Sequence, residues 1–368
     1  MVINVTKPSL PEIADYSELL SRIWSTGWLT NNGPMVLELE ERLRSFLGVK
    51  NLSFVSNGTI ALQIAIRSLR LSGEIITTPF SYVATTSTIV WEHCRPVMVD
   101  IDPQTFNIDP RNIEGAITPK TSAILATHVY GNPCDVVEIE RIAAKHGIKV
   151  IYDAAHAFGV RYLEDSIFNF GDVSCVSFHA TKLFHTIEGG AVIARDAEVD
   201  HLVSRMRNFG HASPTSFDEI GINGKNSEFH AAMGLINLPQ VSEIIAKRHK
   251  ISERYRGHLK QILRHQEIDS ECEYNYAYYP VIFESEEDLL RGMARLKERD
   301  VHPRRYFYPS LSNLPYLDSA FDTPVCADLA PRALCLPLYP SLDLADVDMI
   351  CEILQSALDK SRAHVCEE

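Results

Sequence analysis

Lys182 stands in the run SFHATKLFHTIEGGAV, flanked by His179, Thr181 and His185 and just ahead of Glu188-Gly189-Gly190. Upstream, Asp153 closes the apolar run KVIYD. A lone lysine is ordinarily a solvated surface group, but an amine held near a carboxylate in a partly desolvated site is a nucleophile towards carbonyl carbon. Two further features share the chain with this pair. In Ser56-Asn57-Gly58-Thr59 the glycine lets the backbone approach a ligand closely. The helical pattern that follows, IALQIAIRSLRL, would present free N–H groups and the positive end of its dipole to a phosphate. Tyr82, in PFSYVATT, offers an aromatic face. Each has a plain structural reading: SNGT as a turn and N-cap, Asp153 as a helix cap, Tyr82 as core packing. Together, in the order cradle, aromatic, carboxylate, lysine, they supply what pyridoxal phosphate needs: a phosphate site, a ring partner, a carboxylate to keep the pyridine nitrogen protonated, and an amine to bond the aldehyde carbon.

The elements that must position these residues show in the hydrophobic pattern. From residue 36, VLELEERLRSFLGV has helical spacing and ends at Gly48. The runs LSFV, EIITTP, PVMVDI, SAILATHVY and KVIYDAAH then alternate with helical segments. Short apolar strands separated by helices predict a mostly parallel sheet covered on both faces. Ligands of such sheets lie beyond the carboxyl ends of the strands, where SNGT, HVYGNPCD and DAAHAFG fall. After residue 190 the pattern changes to a strand at GAVIARD, charge-laced helices and a mixed α+β tail. The expected division is a large domain over residues 35–240 and a smaller α+β domain built from 1–34 and 241–368.

Composition narrows the function. The chain has 368 residues, 45% hydrophobic and 23% charged, an ordinary globular make-up. With 48 acidic against 35 basic residues the net charge is -13, which disfavours nucleic acid and anionic membranes as partners and requires any anionic ligand to meet a locally positive site. The eight cysteines are scattered without a CxxC pair, so neither a metal site nor a disulfide framework is signalled. The start, MVINVTKPSLPEIADYSELL, lacks the apolar stretch of a signal peptide, and a cytoplasmic protein is expected.

At TGWLTNNGP, SNGTIAL, ITTPFSYVATT, VDIDPQTFNID, HVYGNPCD, YDAAHAFG, SFHATK and GINGKNSEFHAA the chain resembles the DegT/StrS group of aminotransferases, which act on nucleotide-linked sugars. The resemblance implies an α/β fold of the pyridoxal-phosphate-dependent fold type I, like aspartate aminotransferase, and extends over nearly the whole chain. It makes Lys182 the cofactor-bonding lysine and Asp153 the partner of the pyridine nitrogen. His156 falls beside the cofactor ring, Asn57, Gly58 and Thr59 in the phosphate loop, and Ser177 at a hydroxyl that also bonds the phosphate. In the family, an Asn within a Gly-aromatic-Asn motif reaches the phosphate of the neighbouring subunit. Here the motif reads Gly221-Ile222-Asn223, so Asn223 remains while the aromatic is replaced. Sugar dehydratases of the group carry His at the lysine position; Lys182 favours transamination.

A narrower likeness, carried by LTNNGP and FHATKLFHTIEGG, is to transaminases that form dTDP-4-amino-4,6-dideoxyglucose. It implies amino transfer from glutamate to the 4-keto carbon of dTDP-4-keto-6-deoxyglucose, with the cofactor cycling between pyridoxal and pyridoxamine phosphate, in a homodimer with shared active sites. Another ketosugar, 3-keto or giving a 4-epimeric product, is the alternative, and a non-catalytic cofactor-binding regulator is a more distant one. Candidate substrate contacts are Arg304 and Arg305 in HPRRYFYP, as a diphosphate pair, Thr30, Asn31 and Asn32 on the sugar side, and His185 by its nearness to Lys182.

Overall fold

The computed structural model describes residues 2–317 and 321–365; Cys366 lies outside them. Helices α1 (Ile13–Thr26) and α2 (Pro34–Leu47) lead into β1 (Ser53–Val55), α3 (Gly58–Ser68), β2 (Glu74–Thr77), α4 (Val83–Trp91) and β3 (Arg95–Met98). Then come β4 (Thr121–Thr127), α5 (Val136–His146), β5 (Lys149–Asp153), β6 (Val173–Ser177), β7 (Gly190–Ala194) and α6 (Ala197–Met206). The seven strands form one sheet in the order β1-β7-β6-β5-β4-β2-β3. All neighbours are parallel except at β7, which runs antiparallel to both β1 and β6.

The near-continuous apolar strands follow from burial on both faces. Successive residues of β4 alternate sides: Ile124 and Ala126 join Leu39, Ile139 and Ala231 under α2, α5 and α7 (Glu228–Asn237), whereas Ala123 and Leu125 join Ala61, Ile64 and Val203 under α3 and α6. Gly48 closes α2 with φ 65°, the left-handed cap its sequence position suggests.

Helix α8 (Val241–Leu259) links the two halves of the chain, with Val241 and Ile244 in the core under the sheet and Ile251, Tyr255 and Leu259 in a second core. That second core is built on an antiparallel pair, β8 (Tyr279–Ile282) and β9 (Ala333–Leu336), with α9 (Glu286–Lys297) and α10 (Leu344–Val365). The amino-terminal segment, expected to join this part as one piece, divides. Ile3 and Asn4 pair with Val301 and His302 and Ile3 enters the second core, while α1 lies on α7, with Ile23 in the large core and the Tyr16 hydroxyl donating to the Phe229 carbonyl at 3.0 Å. Among the described residues no helix is long and apolar enough to cross a membrane.

Candidate active site

Beyond the carboxyl ends of β1, β5 and β6 lies a cavity of about 450 Å³ that brings together Asn57, Gly58, Thr59, Tyr82, Asp153, His156, Ser177 and Lys182. The crossover rule explains the meeting: each residue ends a strand or opens the following turn or helix at the same sheet edge.

Asn57 caps α3, its side-chain oxygen accepting from the Ile60 N–H at 2.9 Å, so Gly58 and Thr59 open the helix with amides that precede its first internal bond. A Cβ on Gly58 would lie 3.0 Å from the Ser177 Cβ, so the turn approaches the end of β6 as closely as a glycine permits. A helix start, a glycine and a hydroxyl facing one space are what a phosphate cradle needs.

Asp153 is buried, and burial raises its carboxyl above the usual range. Opposing this, Thr85 donates to Oδ2 at 2.7 Å, the Ala155 N–H donates to Oδ1 at 3.2 Å, and Lys182 adds its charge. Thr85 must give its proton to the carboxylate, so the 2.7 Å contact between Ser81 and Thr85 is one in which Ser81 donates, and Thr127 in turn donates to Ser81 at 3.0 Å. Three buried hydroxyls thus form a one-directional relay ending on Asp153.

Lys182 is partly buried, and burial lowers its amine below the ordinary lysine range, against the raising effects of Asp153, Tyr306 and Tyr82. Its Nζ is 6.0 Å from the Tyr278 ring centre. His156 is buried, and burial and Lys182 together hold it neutral, far below the usual imidazole range. Its Nδ1 accepts from the Tyr130 N–H at 3.3 Å, which leaves the proton on Nε2. The ring stacks on Phe307 at 5.6 Å and 5° and meets Tyr278 edge-on. Tyr82 is 59% exposed, at the cavity wall rather than in the core.

The substrate candidates separate. Arg304 lines the cavity and donates to the Tyr306 hydroxyl at 3.0 Å. Arg305, expected as its phosphate partner, instead donates to Glu286 at 2.6 Å and the Pro331 carbonyl at 2.8 Å and stacks over Tyr308. His185 is buried against the amino-terminal segment: its Nε2 donates to the Ser9 carbonyl at 2.8 Å and its Nδ1 accepts from the Ile187 N–H. It is a structural tie, not a wall of the cavity. Thr30 and Asn31 line a shallow depression of their own, and Asn32 follows at the start of α2, where Glu228 accepts from the N–H groups of Met35 and Val36. Asn223 is exposed outside the cavity, its side-chain oxygen accepting from Lys225 at 3.0 Å.

Sequence reasoning passed over Ser81, Thr85 and Thr127 and, in the aromatic wall, Tyr278 and Phe307, and marked Tyr306 only as a neighbour of the two arginines. The hydroxyl-rich TTPFSYVATT was a usable signal, because a buried run of hydroxyls must find partners. The aromatic wall comes from the other half of the chain and carries no local signal.

The geometry fits pyridoxal phosphate at each part: a cradle where a Cβ would crowd Ser177, a buried carboxylate left on a hydroxyl relay, and a desolvated amine across the same cavity. A mostly parallel sheet covered on both faces with this group at its carboxyl edge defines a fold-type I pyridoxal-phosphate aminotransferase. The chain belongs to the DegT/DnrJ/EryC1/StrS aminotransferase family, whose profile matches residues 12–355. It is 43% identical over 369 residues to a dTDP-4-amino-4,6-dideoxy-D-glucose transaminase of Escherichia coli, covering 96% of this chain and 98% of that one. To the transaminase of the same description from Shigella dysenteriae it is 44% identical, over 92% of this chain and 95% of that one. The structure of DesI in the presence of its TDP-sugar product superposes with a TM-score of 0.93 at 32% identity, covering 100% of this chain and 95% of that one.

Proposed function

We propose that this aminotransferase moves an amino group from glutamate to the 4-keto carbon of dTDP-4-keto-6-deoxyglucose, giving dTDP-4-amino-4,6-dideoxyglucose. Lys182 and Asp153 facing one cavity carry the reading for the reaction, and the 43% identity to a transaminase of that product supports the sugar.

Bound pyridoxal phosphate supplies the electron sink that makes the amino acid α-proton labile. The residues do the rest. Asp153, with Thr85 donating to it, would hold a proton on the pyridine nitrogen of the bound group and so keep that sink electron-poor. Gly58, Thr59 and Ser177 would hold the phosphate, and the neutral His156, with its proton on Nε2, would lie beside the ring. Lys182, whose amine burial lowers below the ordinary lysine range, would be the group that takes up the proton and returns it. Arg304, held by Tyr306 at the mouth, is the cation placed for an anionic group of either substrate. Two substrates using one site in turn give ping-pong kinetics.

The active form is a homodimer with shared sites. Asn223 lies outside its own cavity, in a region where Phe217 is 64% and Ile220 84% exposed, and Trp24 is 72% exposed on α1. Covering such large apolar groups is what a partner subunit would supply.

The test is the holoenzyme incubated with the ketosugar nucleotide and glutamate. Formation of 2-oxoglutarate and a product whose NMR couplings place an equatorial amino group at C4 are expected. No 2-oxoglutarate refutes the reaction, and an amino group at C3 or axial at C4 refutes the sugar assignment while leaving the reaction class.

A further inference from the structure

A second cavity, of about 520 Å³, shares Tyr278 in its wall with the first. Its floor is helix α8. Residues Arg248, Ser252, Arg256 and Lys260 follow at four-residue intervals along this helix and its last turn, and so share a face. The opposite wall supplies Arg264, His265 and the rings of Tyr274 and Tyr276.

Three observations point to an anion. Ser252 is 5% exposed, lines the cavity, and its hydroxyl has no hydrogen-bond partner. One turn earlier on α8, and outside the lining itself, Arg248 is 2% exposed and donates to the carbonyls of Tyr276 and Ala277, with Nε unpartnered. Burial pushes its guanidinium down to about 10, and the groups that oppose this are the tyrosines Tyr278 and Tyr274 rather than a carboxylate. A buried cation without a counterion is costly. The lining sets two carboxylates, Glu253 and Glu267, against the three cations Arg256, Lys260 and Arg264, with Glu253 at 4.0 Å from Arg256. In a chain of net charge -13 such a pocket is a local reversal of sign.

We infer that this cavity is a nucleoside phosphate site separate from the catalytic one, with Arg256, Lys260 and Arg264 on the phosphates, Ser252 as a hydroxyl donor, and the base against Tyr276. Tyrosine faces accept any base by stacking, and the volume falls within the range of small-molecule pockets, about 300–1,000 Å³. A metabolite-sized anion suits it better than a macromolecule, because the cations converge on one lined cavity. The assignment does not depend on the sugar that the catalytic cavity takes.

The probe is dTDP, titrated calorimetrically into the holoenzyme at low salt, for the wild type and for Arg256→Gln/Lys260→Gln. Both positions are exposed, so the variant should fold. One dTDP-binding event should weaken at least about tenfold in the variant, as expected for lost charge-assisted bonds, whereas amino transfer without added nucleotide keeps its kcat and KM. Inorganic pyrophosphate should compete for that event only weakly, since it has no ring, and Tyr276→Ala should narrow the difference between the two ligands. The inference is overturned if no dTDP event responds to the double substitution, or if pyrophosphate binds there as tightly as dTDP. A raised KM for the sugar nucleotide would also overturn it, because the cavity would then be part of the substrate site.

Discussion

Because Ser81 must donate to Thr85 and Thr85 to Asp153, the hydroxyl relay has one polarity, and it works to keep a buried carboxylate charged. Burial raises Asp153 and the Thr85 bond lowers it, so removing that bond moves the carboxyl further up. Thr85→Val should therefore shift the acid limb of the kcat/KM profile to higher pH, with Thr85→Ser restoring it; an unmoved limb would assign Thr85 to packing alone. Lys182→Ala should abolish amino transfer and the visible absorbance of lysine-bound cofactor, while Asp153→Asn should retain the cofactor and lose on the order of 10²-fold or more in kcat, the scale of a positioned proton-holding group. Stopped absorbance traces with glutamate separate the two. At this scale the lysine, the carboxylate and the SNGT turn were legible because each is a rare type in a marked context. Thr85 was not, since a threonine inside an apolar helix looks the same whether it serves a carboxylate or its own backbone.

Single contacts between elements set where these residues stand. Gly190, the first residue of β7, packs so tightly that a Cβ would lie 2.6 Å from the Asn57 carbonyl carbon and 2.7 Å from the Val176 oxygen. Gly190→Ala must push β7 or the phosphate turn aside, at a cost of about 1–3 kcal/mol, and should weaken pyridoxal phosphate binding measured by equilibrium dialysis more than it lowers the urea midpoint of the cofactor-free protein. At the other end of the sheet's cover, Glu228 is buried and accepts from two N–H groups at the start of α2. Glu228→Ala strands them, and a loss of about 1–3 kcal/mol in denaturant unfolding is expected, with Glu228→Gln recovering part of it. Strand and helix alternation through residue 190 could be read from period and punctuation. The antiparallel direction of β7 could not, because GAVIARD has the same apolar pattern either way up and only its connections decide. Nor could the split of the amino-terminal segment, which depends on contacts with residues 228–237 and 301–302 far along the chain.

For the whole molecule, the proposed sharing of sites between subunits makes a prediction that no monomeric enzyme satisfies. Lys182→Ala and Asn223→Ala homodimers should each be impaired, yet mixing them should create dimers in which one site has both its own lysine and an intact partner asparagine. With random exchange the recovered activity approaches about a quarter of wild type; no recovery after verified exchange would put Asn223 in its own chain's structure. The sequence marked Asn223 through its motif alone, and the surface on which it lies is described by exposure: Phe217 and Ile220 stand in solvent where a folded core would have covered them.

The bond from His185 to the Ser9 carbonyl spans 176 positions in the chain. Because Ile3 is already sewn to Val301, the strip between them behaves as a stitch whose two ends are fastened in different places, one in the second core and one beside the loop that carries Lys182. Trimming residues 2–9, or letting a protease nick them, would therefore act at a distance, slackening the lysine loop without touching any group in the cavity. The handling of this end of the chain in recombinant work is thus a matter of catalysis as much as of yield.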